Sequence, residues 1–116
     1  MKRIDIKVLD EARDFIKSID NASARRKIYY VLDRIKLGEK DNEIFKKLDD
    51  TDICEFRILF AKIAYRLFAF WDTSENALIV ATHGIIKKTQ KTPTKEIRKA
   101  ERIREEYFYN KKEITK

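Results

Sequence analysis

Residues 63 to 71, IAYRLFAFW, are apolar at odd and even positions alike, with Arg66 as the exception. A run that is apolar on both faces indicates a strand in the centre of a sheet. The neighbouring runs ICEFRILF and ALIVATH have the composition of further strands, and the polar residues TSEN mark a turn before the third run. Residues 53 to 83 are therefore predicted to form an antiparallel meander of three strands, ending at His83.

The N-terminal part predicts one strand and two helices. Ile4, Ile6 and Val8 alternate with charged residues, as in a half-buried strand. Asp10 is predicted to cap the first helix, and the polar break SIDNAS supplies capping oxygens for the second. Gly38 stands where a residue with left-handed backbone conformation would end this second helix. The apolar residues of both helices recur at helical spacing and should face the core: Ala12, Phe15, Ile16, Ile19, Ile28, Val31, Leu32, Ile35.

The last part of the chain predicts a C-terminal helix. Thr92 and Pro93 suit a helix entrance. A narrow apolar stripe follows at Ile97, Ala100, Ile103 and Tyr107. The order is strand, two helices, three strands and one helix, which predicts an α+β fold in one domain spanning residues 1–116.

Composition excludes several classes of protein. One cysteine cannot form an internal disulfide, and no apolar stretch approaches the roughly 20 residues that span a bilayer, so a cytoplasmic protein without membrane contact is expected. The net charge is +7, and residues 86 to 116 hold 11 Lys/Arg against 5 Asp/Glu. A basic C-terminal region indicates a nucleic-acid surface, and the alternative is a solvated helix face.

Arg66 is the first candidate site residue, because a guanidinium in an apolar strand needs an anionic partner or a cleft. One alternative is a buried pair with Glu55 or with an acid near residue 50. The other is a phosphate site, because Arg57 on the preceding strand would lie beside Arg66 if the two strands pair.

The segment HGIIKKTQKTP holds the second group of candidates: His83, Gly84, Lys87 and Lys88. Glycine permits close backbone approach, and the lysines place the only histidine in cationic surroundings. A single histidine among cations is a poor metal site. The pattern predicts a cation-rich site with no metal and no cofactor.

These motifs make the sequence similar to the RelE/ParE superfamily of toxins from type II toxin-antitoxin systems, and most similar to its phage-derived, HigB-like branch. The resemblance rests on CEFRI, YRLFAFWD and HGIIKKTQKTPTKEIRKAERIREEYF, and the KKTQKTP stretch is its most specific part. It implies a small RelE-like α+β fold with helices packed on an antiparallel sheet. The β-turn at Ala61 and Lys62 departs from the glycine common in relatives.

The resemblance also implies a function, a ribosome-dependent, metal-independent messenger RNA endoribonuclease that inhibits translation. It places Arg57, Arg66, His83, Lys87 and Lys88 in the RNA-cutting site, with Glu55 or His83 as general base. His83 would transfer protons at an unperturbed pKa of roughly 6.5. RNA or ribosome binding is expected from the following cations: Lys91, Lys95, Arg98, Lys99, Arg102.

The expected partners are the ribosome, messenger RNA and a cognate antitoxin, a small helix-turn-helix protein through which the complex would bind its own operator. Two other functions stay open. A ParE-like protein would inhibit DNA gyrase without catalysis, and a plain RNA-binding module would neither cut RNA nor act on gyrase.

Overall fold

The computed structural model of the protein describes residues 3–88 and 91–114, and it confirms the α+β class. Five strands form one sheet in the order β1-β5-β4-β3-β2, so the run 63 to 71 is the central strand as predicted. The elements in chain order are β1 (Asp5–Val8), α1 (Asp10–Ser18), α2 (Ala22–Lys36), β2 (Phe45–Lys47), β3 (Cys54–Phe60), β4 (Ile63–Trp71), β5 (Leu78–Lys87) and α3 (Thr94–Ile114).

The sheet is larger than the predicted meander. All neighbouring strands pair antiparallel except β1, which lies parallel to β5 at one edge. The short strand β2, at the other edge, pairs with β3 through Phe45, Lys46 and Lys47. Three residues are too few to show a period of two in the sequence, so this strand was not predicted.

Helices α1 and α2 cover one face of the sheet. Their predicted stripes are buried against alternate residues of the strands, among them Phe56, Leu67 and Ala81. Asn21 caps α2 by accepting hydrogen bonds from the backbone N–H groups of Ser23 and Ala24. The predicted pair of helices with core-facing stripes is therefore confirmed.

Helix α3 covers part of the opposite face. Its buried Ala100 packs with Phe68, Phe70 and Val80, and Ile97 adds to this second core. The far end of α3 is attached through the fully buried carboxylate of Asp72, which accepts hydrogen bonds of 2.6 Å from the Tyr107 hydroxyl and from Lys111 Nζ. Burial works to raise the pKa of Asp72, but the hydrogen bonds outweigh it and hold that pKa below its ordinary value.

Within the described residues, no helix combines the length and apolar composition needed to cross a membrane.

Two predicted boundaries were wrong. Leu9, not Asp10, is the N-cap of α1, because the Leu9 backbone stays extended and its N–H donates to the carbonyl of Ala81. Asp10 is instead the first helical residue. Strand β5 also does not end at His83 but runs to Lys87.

Gly84 lies inside β5, where helix α1 packs closely on the strand. A Cβ at this position would lie 2.8 Å from Leu67 Cδ2 and closer still to the ring of Phe15. Glycine therefore lets α1 pack directly on the strand, so the close approach predicted for this residue serves the core.

The turn between β3 and β4 holds two residues in the left-handed region, Ala61 at φ 50° and Lys62 at φ 67°. Phe60 pairs with Ile63, so these residues form a two-residue hairpin loop with the dihedral signs of a type I′ turn. Neither residue type favours positive φ, so the hairpin forms because the long β3 and β4 ladder holds it.

We expect replacement of Ala61 by Asn together with Lys62 by Gly to raise the free energy of unfolding by about 1 kcal/mol, because both residues adopt positive φ readily. Urea denaturation measures the change. The control Lys62→Ala keeps the unfavourable conformation and should give no gain. Equal stabilisation by both variants would contradict the backbone explanation.

Candidate active site

A cluster of cations lies on the sheet face that α3 covers only in part. Arg57 and Arg66 are directly opposite each other in the β3–β4 register, which confirms the predicted neighbourhood. Lys87 pairs with Ala64, one position further along the same face of β4. The three side chains converge from three adjacent strands, and we call them, with Glu55, the cationic cluster.

Glu55 is the only carboxylate of this cluster, and it is 2% exposed. Its Oε1 lies 3.5 Å from Arg57 Nε and 3.7 Å from Arg66 Nε. Its Oε2 accepts a hydrogen bond of 3.2 Å from the Thr92 hydroxyl, so the segment before α3 is attached to the cluster. The predicted ion pair of Arg66 with Glu55 is therefore present, and Arg57 shares the same carboxylate.

The cluster carries more positive charge than Glu55 neutralises. Burial lowers the pKa of Arg66, Arg57 lowers it further, and Glu55 opposes both effects. Burial also lowers the pKa of Lys87, followed by Arg66, while Glu55 again acts in the opposite direction. These mutual effects show that the cations lie within electrostatic reach of one another, with one anion for three cations.

The Arg66 guanidinium also has donors that the described part of the chain leaves unused. One nitrogen donates to the carbonyl of Tyr65 at 3.1 Å. Its Nε is buried and lacks a hydrogen-bond partner among the described residues, since 3.7 Å to Glu55 exceeds hydrogen-bond length. A group with several acceptor oxygens would satisfy such donors.

His83 lies on the same face but under the first turn of α3. It is 2% exposed and stacks on Phe68, with ring centroids 4.9 Å apart. Nε2 lies 3.2 Å from Glu96 Oε1, and Nδ1 lies 2.9 Å from the Thr82 hydroxyl. The carboxylate of Glu96 favours a proton on Nε2 in the neutral ring. Both nitrogens thus contact polar groups of the protein.

The pKa of His83 is not unperturbed, contrary to the prediction. Burial lowers it most, and the charge of Lys99 lowers it further, while the hydrogen bond with Glu96 acts in the opposite direction. The imidazole is therefore neutral at physiological pH. The predicted part of His83 in catalysis stays a prediction.

The other predicted cations lie around the cluster or along α3. Lys88 is exposed just beyond β5, and Lys91 is exposed before α3, while Thr89 and Gln90 of the KKTQKTP stretch lie outside the described residues. Lys95, Arg98 and Arg102 are exposed on α3. Lys99 differs because it is partly covered and pairs with Glu11 of α1.

The prediction from sequence missed Lys46, Thr92 and Glu96 as neighbours of the site. Lys46 is paired with Glu55 in the β2–β3 register and lowers the pKa of Lys87 together with the arginines. The signal for Lys46 was the short run EIFKKL, which has too few residues to establish a period. No local signal could place Thr92 on Glu55 or Glu96 on His83, because 37 and 13 residues separate these pairs.

The described part of the chain shows neither a reactive thiol nor a cluster of metal-binding side chains. Burial raises the pKa of Cys54 to about 11, so this thiol stays protonated and is a poor nucleophile at neutral pH. Among the described residues, no three His, Cys, Asp or Glu side chains come together as a metal ion would require.

Comparison with protein families adds to this geometry. The model of the family described as "Phage derived protein Gp49-like (DUF891)" matches residues 14–105. The chain belongs to this family. Gp49-like proteins are a phage-derived, toxin-like family, which is consistent with a toxin of a toxin-antitoxin system and implies an antitoxin partner. The matched region contains the whole cationic cluster and the first half of α3. No curated protein matches the chain.

The lowered pKa of His83 predicts that stability falls on acidification. Between the ordinary pKa of about 6.5 and the lower value in the folded protein, the unfolded chain binds a proton that the buried ring does not. The free energy of unfolding should therefore decrease below about pH 6.5, by at most about 1.4 kcal/mol per pH unit.

Urea denaturation between pH 5.5 and 7.5 measures this effect. The chain has one histidine, so His83→Gln is a clean control that should remove most of the slope. An equal slope in the variant would mean that other groups cause it.

Proposed function

We propose that the protein is the toxin of a type II toxin-antitoxin system, from the HigB-like branch of the RelE/ParE superfamily, and that it cleaves messenger RNA on the ribosome without a metal ion. Membership of a phage-derived, toxin-like family supports the toxin function. The cationic cluster supports RNA cleavage, because it offers a phosphate more positive charge and more donors than the protein itself uses.

The observation that carries the proposal is the direct opposition of Arg57 and Arg66 around one shared carboxylate. Paired guanidinium groups suit the geometry and charge of a phosphate. In metal-free cleavage the ribose 2′-oxygen attacks phosphorus and the bond to the 5′-oxygen breaks, which leaves a 2′,3′-cyclic phosphate and a 5′-hydroxyl. Arg57 and Arg66 stabilise the charge that develops on the phosphate oxygens.

Proton transfer in this proposal falls to Glu55 and Lys87. The Glu55 carboxylate lies against both arginines that are proposed to hold the phosphate, where it can accept the 2′-hydroxyl proton, whereas His83 lies under the first turn of α3 and contacts Glu96. Lys87 has a lowered pKa, which makes it a better proton donor to the leaving 5′-oxygen than an ordinary lysine. We assign His83 to holding Glu96, and with it the first turn of α3, beside the cluster.

Docking on the ribosome is proposed to involve the exposed cations that flank the cluster and follow α3, namely Lys88, Lys91, Lys95, Arg98 and Arg102. Lys99 contributes less in this proposal because Glu11 already neutralises it. The antitoxin is proposed to be a small helix-turn-helix protein that blocks this basic surface, where complementary charge would speed association.

Arg66→Ala should lower messenger RNA cleavage by about 10²- to 10³-fold, because it removes phosphate stabilisation in the transition state. The fold should persist, because Glu55 keeps Arg57 and Thr92 as partners. Inducing the protein in cells and mapping RNA 5′ ends within translated codons measures the activity. Lys17→Ala, which removes an exposed cation of α1, is the matched control and should cleave normally.

The same experiment distinguishes the other functions. Intact messenger RNA with accumulating DNA breaks would identify a ParE-like gyrase inhibitor instead. Full cleavage by a normally folded Arg66→Ala variant would give Arg66 a structural role.

Glu55→Gln tests the general base while it preserves the size of the side chain. We expect cleavage to fall by about 10²- to 10⁴-fold, with ribosome binding unchanged, because the amide cannot take the 2′-hydroxyl proton. Single-turnover cleavage on purified ribosomes measures the rate. Glu43→Gln, at an exposed position before β2, is the control. Retained cleavage in Glu55→Gln would exclude Glu55 as the general base.

A further inference from the structure

The outer face of α2 carries aromatic and basic side chains that neither the core nor the proposed active site uses. Tyr29 is 47% exposed and Tyr30 is 55% exposed, and Arg26 is exposed beside them. These three residues lie on the side of the helix opposite its buried stripe. Lys27 and Arg34 flank the face. We call these five residues the α2 face.

Charge is more concentrated on α2 than on α3. Helix α2 holds five Lys/Arg and one Asp in 15 residues, a net charge of +4. Helix α3 holds seven Lys/Arg and five Glu in 21 residues, a net charge of +2. Although the C-terminal region is the more basic in sequence, the helix with the stronger net positive charge is α2.

Helix stability explains only part of this charge. Arg34 and Lys36 lie in the last turn, where the helix dipole favours cations, and both pair with acids, Arg34 with Glu39 and Asp41 and Lys36 with Asp33. The positive end of a helix dipole lies at the N-terminus, where acids are favoured and cations are not, yet the first turn of α2 has no acid and Arg25, Arg26 and Lys27 follow it. Arg25 has a structural use, because it donates to the carbonyl of Ile19 at the end of α1. Arg26 bonds only the nearby Ser23 hydroxyl among the interactions that the structure describes.

Tyr30 lies between two cations. Lys27 Nζ is 5.4 Å from the centre of its ring, and the Arg34 guanidinium carbon is 5.7 Å from it. Such contacts hold the tyrosine in place while more than half of it stays open. Exposed aromatic rings among Lys and Arg are what RNA-binding surfaces use, because bases stack on the rings and phosphates contact the cations.

The α2 face and the cationic cluster lie on opposite sides of the sheet. Helix α2 packs on the face formed by Phe56, Ile58 and Leu67, whereas Arg57 and Arg66 project from the other face. A strand in the active site would therefore have the sheet between itself and α2.

We propose that the α2 face is a second RNA-docking surface, which binds a folded RNA segment other than the strand that is cut. The inference rests on the proposed RNA-directed function, and it places the protein between two parts of a folded RNA assembly. An acidic protein segment would match the cations but would gain less from the two half-exposed tyrosine rings, so RNA is the occupant that the face favours.

The test uses a 2′-O-methyl RNA hairpin, which binds like RNA but cannot be cut through a 2′-hydroxyl. Arg26→Glu with Lys27→Glu should weaken binding at least tenfold and lower the log–log salt slope by about 1.5, as expected for two lost phosphate contacts. Glutamate near a helix N-terminus is favourable, so the fold should be retained. Tyr30→Ala should weaken binding by about tenfold with the salt slope unchanged, because it removes stacking but no charge.

Lys17→Glu with Lys40→Glu is the matched control, since it makes the same change in net charge at exposed positions outside α2. Normal hairpin binding by this control and weak binding by the α2 variant supports the inference. Arg98→Glu with Arg102→Glu measures the contribution of α3 in the same assay.

Unchanged binding and salt slope in the α2 variant would overturn the inference, and so would a loss of antitoxin binding with hairpin binding intact. These outcomes are independent of the proposed function, because the hairpin assay needs no cleavage. If the wild-type protein bound the hairpin but did not cleave messenger RNA, that result would count against the endoribonuclease alone.

Discussion

Strand β4 is buried on both faces along most of its length, and the architecture follows from covering it. One face bears Tyr65, Leu67 and Ala69, which α1 and α2 cover. The other bears Phe68 and Phe70, which α3 covers. Because α3 begins at Thr94 over His83 and runs away from the β3–β4 hairpin, the opposite end of this second face stays open. Arg66 lies where the apolar cover ends.

The position of Arg66 makes Glu55 necessary. A guanidinium at the edge of an apolar layer loses solvation, and the neighbouring Arg57 adds repulsion, so a carboxylate between them stabilises both. The same carboxylate accepts from Thr92, and His83 contacts Glu96 one turn further along. Two polar contacts therefore fix the beginning of α3 beside the cationic cluster, while Asp72 fixes its end. A site with one anion among three cations is thus held in a rigid frame.

The two faces of the sheet also differ in what they leave exposed. On the α3 side, the open part is a strand surface with converging guanidinium and ammonium groups. On the other side, the open part is the outside of α2, where tyrosine rings stand among cations. Net charge alone does not distinguish these surfaces, because +7 is a sum over both and over the acidic segment before β3.

Periodicity determined the central strand, the meander and the two core-facing helices, because alternation and helical spacing depend on residues close in sequence. The opposition of Arg57 and Arg66 also required the register of the β3–β4 hairpin, which a period alone does not specify. The motifs of the sequence also agree with the membership of this chain in a toxin-like family. The turn at Ala61 and Lys62 formed without its usual residues, since the paired strands override local preference.

Contacts between distant residues were decided by tertiary structure alone. The parallel pairing of β1 with β5, the short edge strand β2 and the attachment of Thr92 to Glu55 have no local period to reveal them. The clearest case is His83, which was predicted at the end of a strand shortly before Lys87 and Lys88, yet α3 covers it. Whether a residue is buried depends on what packs against it. Helix α3 follows β5 as a separate element, so the periodicity of the strand around His83 could not show that α3 covers it. Sequence therefore determined which residues share a strand or a helix face, and packing decided which of them water can reach.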